Sequence, residues 1–257
     1  MAADLVLLAE QEGIATVTVN RPDKLNALND EVISHLGAAF ARCRDSASIG
    51  AVILTGAGEK AFIAGADISV LSSLDPRTAK ETATRGQQLT LLIETLGKPV
   101  VAAINGYAFG GGLEMAMACT MRLAVEGAKM GQPEVKLGLL AGYGGTQRLP
   151  RLVGASKALE MNLTGEAILA EEAYRLGLAH AVVPDHELLD TALNWARKLA
   201  SQPPIAIEQI KSVSHKGDLD EGIAAEKHGF ATAFGSEDAR EGIGAFLGKR
   251  TPKWSGK

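Results

Sequence analysis

Residues 98–119 read KPVVAAINGYAFGGGLEMAMAC, and this stretch decides the architecture. Its first half, Lys98–Ala108, is an apolar run of the kind that forms a buried strand. Three consecutive glycines, Gly110–Gly112, then open a segment with helical pattern that carries a single carboxylate, Glu114. The same-face neighbours of Glu114 on such a helix are Gly110, Gly111, Met117 and Ala118. The adjacent faces carry Leu113, Met115 and Ala116, so no polar side exists on which Glu114 could be solvated. Glycine weakens a helix, and an unpaired carboxylate in apolar surroundings is costlier still. Two local violations side by side mark a functional site. The plain alternative is a first-turn glutamate favoured by the helix dipole.

Outward from this strand–glycine–helix unit, the same alternation recurs. Towards the N-terminus, DLVLLAEQEGIATVTVN alternates apolar and polar residues about a Glu12–Gly13 turn, the pattern of a β-hairpin. Asn29 is placed to cap an amphipathic helix over Asp30–Asp45. GAVILTGAG (50–58) is a short apolar strand ending in glycines, and a helical pattern runs from Pro76 to Leu96. Downstream, strand, glycine-rich loop and helix alternate to about Val183, which predicts a layered α/β core. The pattern from His186 to Leu247 is helical almost throughout, broken at Pro203–Pro204 and at Lys216–Asp218. This predicts a core over 1–195 and a helical region over 196–257 that serves as an oligomer interface.

The apolar fraction of 46% and charged fraction of 22% are those of an ordinary globular protein. Net charge is −4, which gives no general attraction to nucleic acid or anionic membranes. Cys43 and Cys119 both lie in apolar segments and read as buried free thiols of a reducing compartment. The stretch MAADLVLLAE has no basic start or apolar run of a signal peptide, and no segment reaches the length of a membrane span. These features predict a cytoplasmic protein.

Few motifs offer chemistry. TGAGEKA (55–61) matches the loose dinucleotide fingerprint, but the chain continues into FIAGADIS instead of a long helix, which excludes a nicotinamide site. There is no phosphate loop and no nucleophile elbow. His35, His180, His186, His215 and His228 are scattered without metal-ligand spacing. Any catalysis therefore rests on carboxylates and backbone. The second candidate is Glu134, in GQPEVKLGLLAGYGGTQRLP (131–150). Pro133 followed by Glu134 also suits an ordinary helix start, and periodicity does not show that Glu134 meets Glu114. The glycines at 110–112 would free backbone N–H groups for an anionic ligand, or serve a tight turn.

Taken in order, NRPDKLNAL (20–28), AFIAGADIS (61–69), the 98–119 stretch, GQPEVKLGLLAGYGGTQRLPRLVG (131–154), LTGEAILAEEAYRLGLAHAVVP (163–184) and AFLGKRTPKW (245–254) cover nearly the whole chain. With these motifs the sequence resembles the crotonase superfamily, and most closely the enoyl-CoA hydratases. The resemblance implies an α/β spiral of β-β-α units followed by a helical trimerisation region, with a homotrimer or a homohexamer built from two trimers. It implies hydration of trans-2-enoyl-CoA thioesters to 3-hydroxyacyl-CoA, in fatty-acid β-oxidation or related acyl-CoA catabolism. The N–H groups of Ala66 and Gly111 would form the oxyanion hole. Glu114 would take a proton from water and Glu134 would deliver one to Cα, with the Gly142 backbone helping to hold that water. Lys24, Ala27, Leu28, Ala64, Asp67 and Ile68, together with Ala66, would meet coenzyme A, and the basic end at Lys249, Arg250 and Lys253 is a candidate for its phosphates. No metal or redox cofactor is implied, because coenzyme A is part of the substrate.

Three positions depart from the common family pattern: Ser69 stands where a lysine is frequent, Ala141 where proline is usual and Thr120 where aspartate is common. Alternatives on the same fold are an enoyl-CoA isomerase and a methylglutaconyl-CoA-type hydratase. An RNA-binding relative would need a lysine-rich helix near 76–97, whereas this segment is only mildly basic in its first half. Two retained glutamates favour hydration over isomerisation and over a catalytically dead relative; between hydratase substrates the acyl pocket decides, its lining drawn from segments such as Leu71–Thr84.

Overall fold

The computed structural model describes residues 4–214 and 217–257. His215 and Lys216, and the first three residues of the N-terminal stretch, lie outside the described residues. The chain opens with a hairpin, β1 (Val6–Gln11) and β2 (Ile14–Val19), paired from Gln11↔Ile14 to Val6↔Val19. Its turn residues, Glu12 and Gly13, both have positive φ (51° and 77°), as a tight two-residue hairpin demands. The helix α1 (Asp30–Asp45) begins where Asn29 accepts from the Val32 N–H at 2.9 Å. From there, paired strands and helices repeat: β3 (Ala51–Gly56), β4 (Ala61–Ile63), the short α2 (Ile68–Leu71) and α3 (Pro76–Glu94). Next come β5 (Val100–Ile104), β6 (Tyr107–Phe109) and α4 (Gly111–Ala118). A third set comprises β7 (Met121–Val125), β8 (Lys129–Gly131), a 3-10 turn over Pro133–Leu137, α5 (Gly145–Val153) and α6 (Ala155–Thr164).

The strands separate into two sheets by their place in each repeat. First strands enter a six-stranded sheet of order β1-β2-β3-β5-β7-β10, which β10 (Ala181–Val183) completes. Second strands enter a four-stranded sheet of order β4-β6-β8-β9, where β9 is Ile168–Leu169. In the large sheet, β2, β3, β5, β7 and β10 run parallel. Every residue of β3 and β5 is buried, which explains why these strands are continuous apolar runs without alternation. This is a β-β-α spiral, as the resemblance implies.

The single strand expected over Lys98–Ala108 is divided between the two sheets at Asn105–Gly106. The Asn105 amide donates to the Gly56 and Gly58 carbonyls at 2.8 and 2.7 Å, tying the end of β5 to the end of β3. Gly106 then turns with φ 149°, against the Lys60 carbonyl, and sends the chain into β6. The loop after β3 leads into β4, with no long helix opening at its glycines.

After α7 (Ala170–Arg175) and β10, the described residues form four further α-helices: α8 (Leu188–Ala200), α9 (Pro204–Val213), α10 (Leu219–Phe234) and α11 (Glu237–Leu247). The boundary expected between residues 195 and 196 falls inside α8. That helix buries Leu188, Ala192 and Ala196, one side of its cylinder, against β2, β3, β5 and β7. Helices α9 to α11 bury very little; α10 buries only Gly229. Cys43 and Cys119 are buried and free. Among the described residues, no helix is long and apolar enough to cross a membrane.

Candidate active site

All eight residues of α4 are buried, between α3, α5, β4 and β6. The carboxylate of Glu114 thus has no route to solvent along its own helix and is 1% exposed. It points towards the loop that precedes α5. There its Oε1 accepts two short backbone hydrogen bonds, from Tyr143 at 2.7 Å and from Gly145 at 2.6 Å. Burial, reinforced by the charge of Glu134, pushes the Glu114 carboxyl up to about 7, although the two N–H donors act in the opposite direction. An ionisation near neutrality is what a group exchanging protons with water requires.

Glu134 arrives from the other side, on the 3-10 turn Pro133–Leu137. Its carboxyl lies over the backbone of Gly110, where an added Cβ would sit 2.6 Å from Oε1. Gly110 has φ 50° and ψ −123°, a conformation that L side chains rarely adopt. Glycine is thus needed there twice, for the backbone turn into α4 and for the close approach of the second carboxyl. Burial pushes the Glu134 carboxyl above its ordinary value as well, favouring its protonated form. With its nitrogen turned towards the carboxyl, the buried Gln132 amide donates to both Glu134 oxygens at 3.1 Å.

Both glutamates line one cavity of about 550 Å³, together with Ala64, Ala66, Ile68, Gly111 and Gly142. Seven of the expected positions, drawn from three separated motifs, are gathered in this way. Gly111 is the first residue of α4, so its N–H has no intrahelical acceptor. Ala66 lies beside Leu28 in an isolated parallel bridge, framed by hydrogen bonds from Leu28 N–H to Gly65 and from Asp67 N–H to Leu28. Among the described residues, neither the Ala66 nor the Gly111 N–H has a backbone acceptor. Most of the rest of the wall is apolar, with Leu71, Leu74, Ala79, Ala83, Leu137 and Leu140.

Those features describe two carboxyl groups and two free backbone donors around one mostly apolar chamber. The chain matches the enoyl-CoA hydratase/isomerase family over residues 9–257. It belongs to that family. It is similar to a crotonyl-CoA hydratase of Syntrophomonas wolfei, with 40% identity over 260 residues and all of both chains covered. It is similar also to a short-chain-enoyl-CoA hydratase of Clostridium acetobutylicum, with 41% identity and 97% of each chain covered. Among solved structures, an enoyl-CoA hydratase from Bacillus anthracis matches with a TM-score of 0.94 and 36% identity, covering 99% of this chain and 100% of that one.

In this member of the family, four expected coenzyme A contacts do not line the cavity. Leu28 is buried behind it, and Lys24 lies in the exposed 3-10 turn Pro22–Lys24. The Ala27 carbonyl accepts from Arg21 at 2.6 Å. The Asp67 carboxylate is held by Arg21 at 3.1 Å and by the Ser69 hydroxyl at 2.7 Å, so its side chain is committed to capping α2. Ser69 thereby takes a structural place where relatives often carry a lysine. Thr120 accepts from the Val100 N–H at 3.0 Å and from Lys211 at 3.1 Å. Arg250 pairs with Glu241 at 2.6 and 2.7 Å.

Two site residues escaped the sequence reading. Tyr143 is buried against Gly86 of α3 and borders Gly111; burial, with Glu114 and Asp30 nearby, pushes its phenol up to about 12. Gln132 is the other. A faint signal existed for Tyr143: Gly86 interrupts an otherwise good helix, as it does when a ring must lie against bare backbone.

Proposed function

We propose that the chain is an enoyl-CoA hydratase that adds water across the 2,3 double bond of trans-2-enoyl-CoA thioesters. The observation that carries this is the pair of carboxyls, buried Glu114 and half-buried Glu134, converging on one cavity from α4 and the 3-10 turn. The thioester carbonyl accepts from the N–H groups of Ala66 and Gly111. Donors held in advance where enolate charge develops lower the barrier by about 3–4 kcal/mol each. Water sits between the two carboxyls, with the Gly142 backbone beside it. Glu114, as carboxylate, takes a proton from the water while oxygen bonds to C3. Glu134, as the acid, gives a proton to C2, and the product is the 3-hydroxyacyl thioester.

The division of roles follows from the surroundings. Two backbone N–H groups favour the charged form of Glu114, and a like charge nearby favours a proton on its partner. The pair holds one proton between them and exchanges it with water over a turnover. Coenzyme A enters as part of the substrate, and the reaction asks for no metal or redox group. Lys24, Ala27 and Leu28, on a loop joined to Ala64 and Gly65 by backbone hydrogen bonds, and Asp67 beside them are proposed to meet coenzyme A outside the cavity. The homologues named for crotonyl-CoA and short-chain enoyl-CoA support a short acyl group.

The exposed apolar side chains of α10 and α11, among them Phe230, Phe234, Phe246 and Leu247, support a homotrimer or homohexamer. A solution mass of three or six chains is expected by light scattering. The activity is tested with crotonyl-CoA near neutral pH, following loss of the conjugated enoyl-thioester absorbance. Rapid loss with formation of 3-hydroxybutyryl-CoA is expected. Tight binding of crotonyl-CoA without hydration would overturn the short-chain reading and favour isomerisation or a branched substrate.

A further inference from the structure

The two N–H groups that hold Glu114 belong to a loop, so their convergence on one oxygen depends on what holds that loop. Three successive carbonyls of the loop are each engaged. The Gly142 carbonyl accepts from the Gln87 amide at 2.9 Å. The Tyr143 carbonyl accepts from the Thr90 hydroxyl at 3.0 Å and from Arg148 Nη1 at 3.1 Å. The Gly144 carbonyl accepts from the backbone of Arg148 at 2.9 Å, at the start of α5. Gln87, Thr90 and Glu94 stand at i, i+3 and i+7 on α3 and form one polar stripe beneath the loop.

Arg148 joins these parts. Its side chain is 11% exposed, and Nη2 pairs with Glu94 at 2.7 Å. Nη1 reaches both the Tyr143 carbonyl and the Thr90 hydroxyl at 3.1 and 3.2 Å. A guanidinium fork bonded to a carboxylate on one side and a loop carbonyl on the other fixes position and charge together. We infer that Arg148, held by Glu94 and Thr90, is a positioning residue for Glu114: it sets the Tyr143–Gly145 loop so that both N–H groups meet Oε1. This role rests on the hydratase reading above and adds to it a residue outside the cavity wall.

Electrostatics point the same way, since the Arg148 charge favours the ionised form of Glu114 and opposes the upward push of burial. The other groups facing Glu114 are Glu134 from the 3-10 turn and the Tyr143 phenol from the loop. Around Tyr143 stand Arg85 from α3 and Asp30 from α1, and Glu94 backs Arg148. Removing the guanidinium leaves Glu114 among groups that mostly disfavour its charge, so it would ionise only at higher pH.

The test compares Arg148→Met, Arg148→Lys and Glu94→Gln with wild type, measuring kcat, KM and the pH profile of crotonyl-CoA hydration. Displacing a catalytic group by about 1 Å lowers the rate on the order of 10²-fold. Arg148→Met is expected to lose ~10- to 100-fold in kcat, with KM little changed, and to move the ascending limb of kcat/KM to higher pH. Arg148→Lys returns the limb towards its wild-type position while recovering only part of kcat, because a lysine lacks the fork. Glu94→Gln, which removes a negative charge, moves the limb to lower pH. An unmoved limb in Arg148→Met, or shifts of the same sign in Arg148→Met and Glu94→Gln, would overturn the inference. Should Arg148→Met fail to fold, the downward shift in Glu94→Gln decides alone. If wild type does not hydrate crotonyl-CoA, the hydratase reading fails. The clamp is then read from the ¹³C carboxyl resonance of Glu114, assigned with Glu114→Gln. A midpoint raised in Arg148→Met supports it, and an unchanged midpoint contradicts it.

Discussion

Helix α4 and the Pro133–Leu137 turn each bring one carboxyl to the same cavity, yet they are built in opposite ways. Every residue of α4 is buried, and Glu114 is held by two backbone donors from a neighbouring loop. The 3-10 turn has no fully buried residue, and the chain beyond it exposes Leu139 and Leu140. One carboxyl is thus locked in place by the interior, while the other stands at the edge of the chamber over bare glycine backbone. For hydration this difference is useful. The base needs a fixed position and donors that favour its charge, whereas the acid must hold a proton and regain it from water at the cavity mouth.

The largest expected effect comes from breaking the locked side. Glu114→Gln keeps a group that can accept both N–H bonds but cannot take a proton, so kcat should fall by about 10²–10⁴-fold. Stopped-flow absorbance with crotonyl-CoA measures this, and a fall smaller than tenfold would remove Glu114 from the base role. Next is the donor at the start of α4. Gly111→Pro deletes one N–H at the first helical position, where proline needs no hydrogen bond, although its ring must displace Leu28 and Tyr143, which stand 3.1 Å from an added Cβ. A loss of about 10²–10³ in kcat is expected, and wild-type kcat in a folded variant would exclude Gly111 from the oxyanion hole.

A smaller effect sharpens the contrast in burial. The Glu114 carboxyl is raised from its ordinary 4.5 to about 7, so the folded chain binds more protons there than the unfolded chain between those values. Stability contributed by this group therefore declines as pH rises from about 4.5 to 7, and Glu114→Gln abolishes that decline. Thermal melts should show the Gln variant gaining on wild type as pH rises through this window; a constant difference would mean that the carboxyl is not perturbed. The smallest effects separate the two frameworks. Leu113→Ala in α4 should cost about 2–5 kcal/mol in denaturant unfolding. Leu140→Ser, at a position 72% exposed, should stay within about 0.5 kcal/mol.

Much of this was legible in the sequence where a period ran long enough. The hairpin turn at Glu12–Gly13, the Asn29 cap and the buried runs of β3 and β5 all follow from local pattern. The second sheet did not, because β4, β6, β8 and β9 have only two or three residues and show no alternation. The division at Asn105–Gly106 depends on an amide reaching the distant carbonyls of Gly56 and Gly58, which no window along the chain reveals. Within the site, Glu114 was visible as a carboxylate on an apolar helix, but its meeting with Glu134 was not. That meeting is made by β6 pairing with β8, which brings Gly110 beside Gly131. Gln132 and Tyr143 were single residues without a pattern, and the Gln87–Thr90–Glu94 stripe resembled the solvated side of an ordinary amphipathic helix.

The central claim is that Glu114 and Glu134 act on one water as a pair. The most direct measurement is the hydration rate of crotonyl-CoA for Glu114→Gln, Glu134→Gln and the double variant under identical conditions. Groups that work as a unit give strongly non-additive losses. Each single variant should be nearly as slow as the double. Losses that multiply, with the double slower than either single by the product of their effects, would show two independent groups and contradict the paired mechanism.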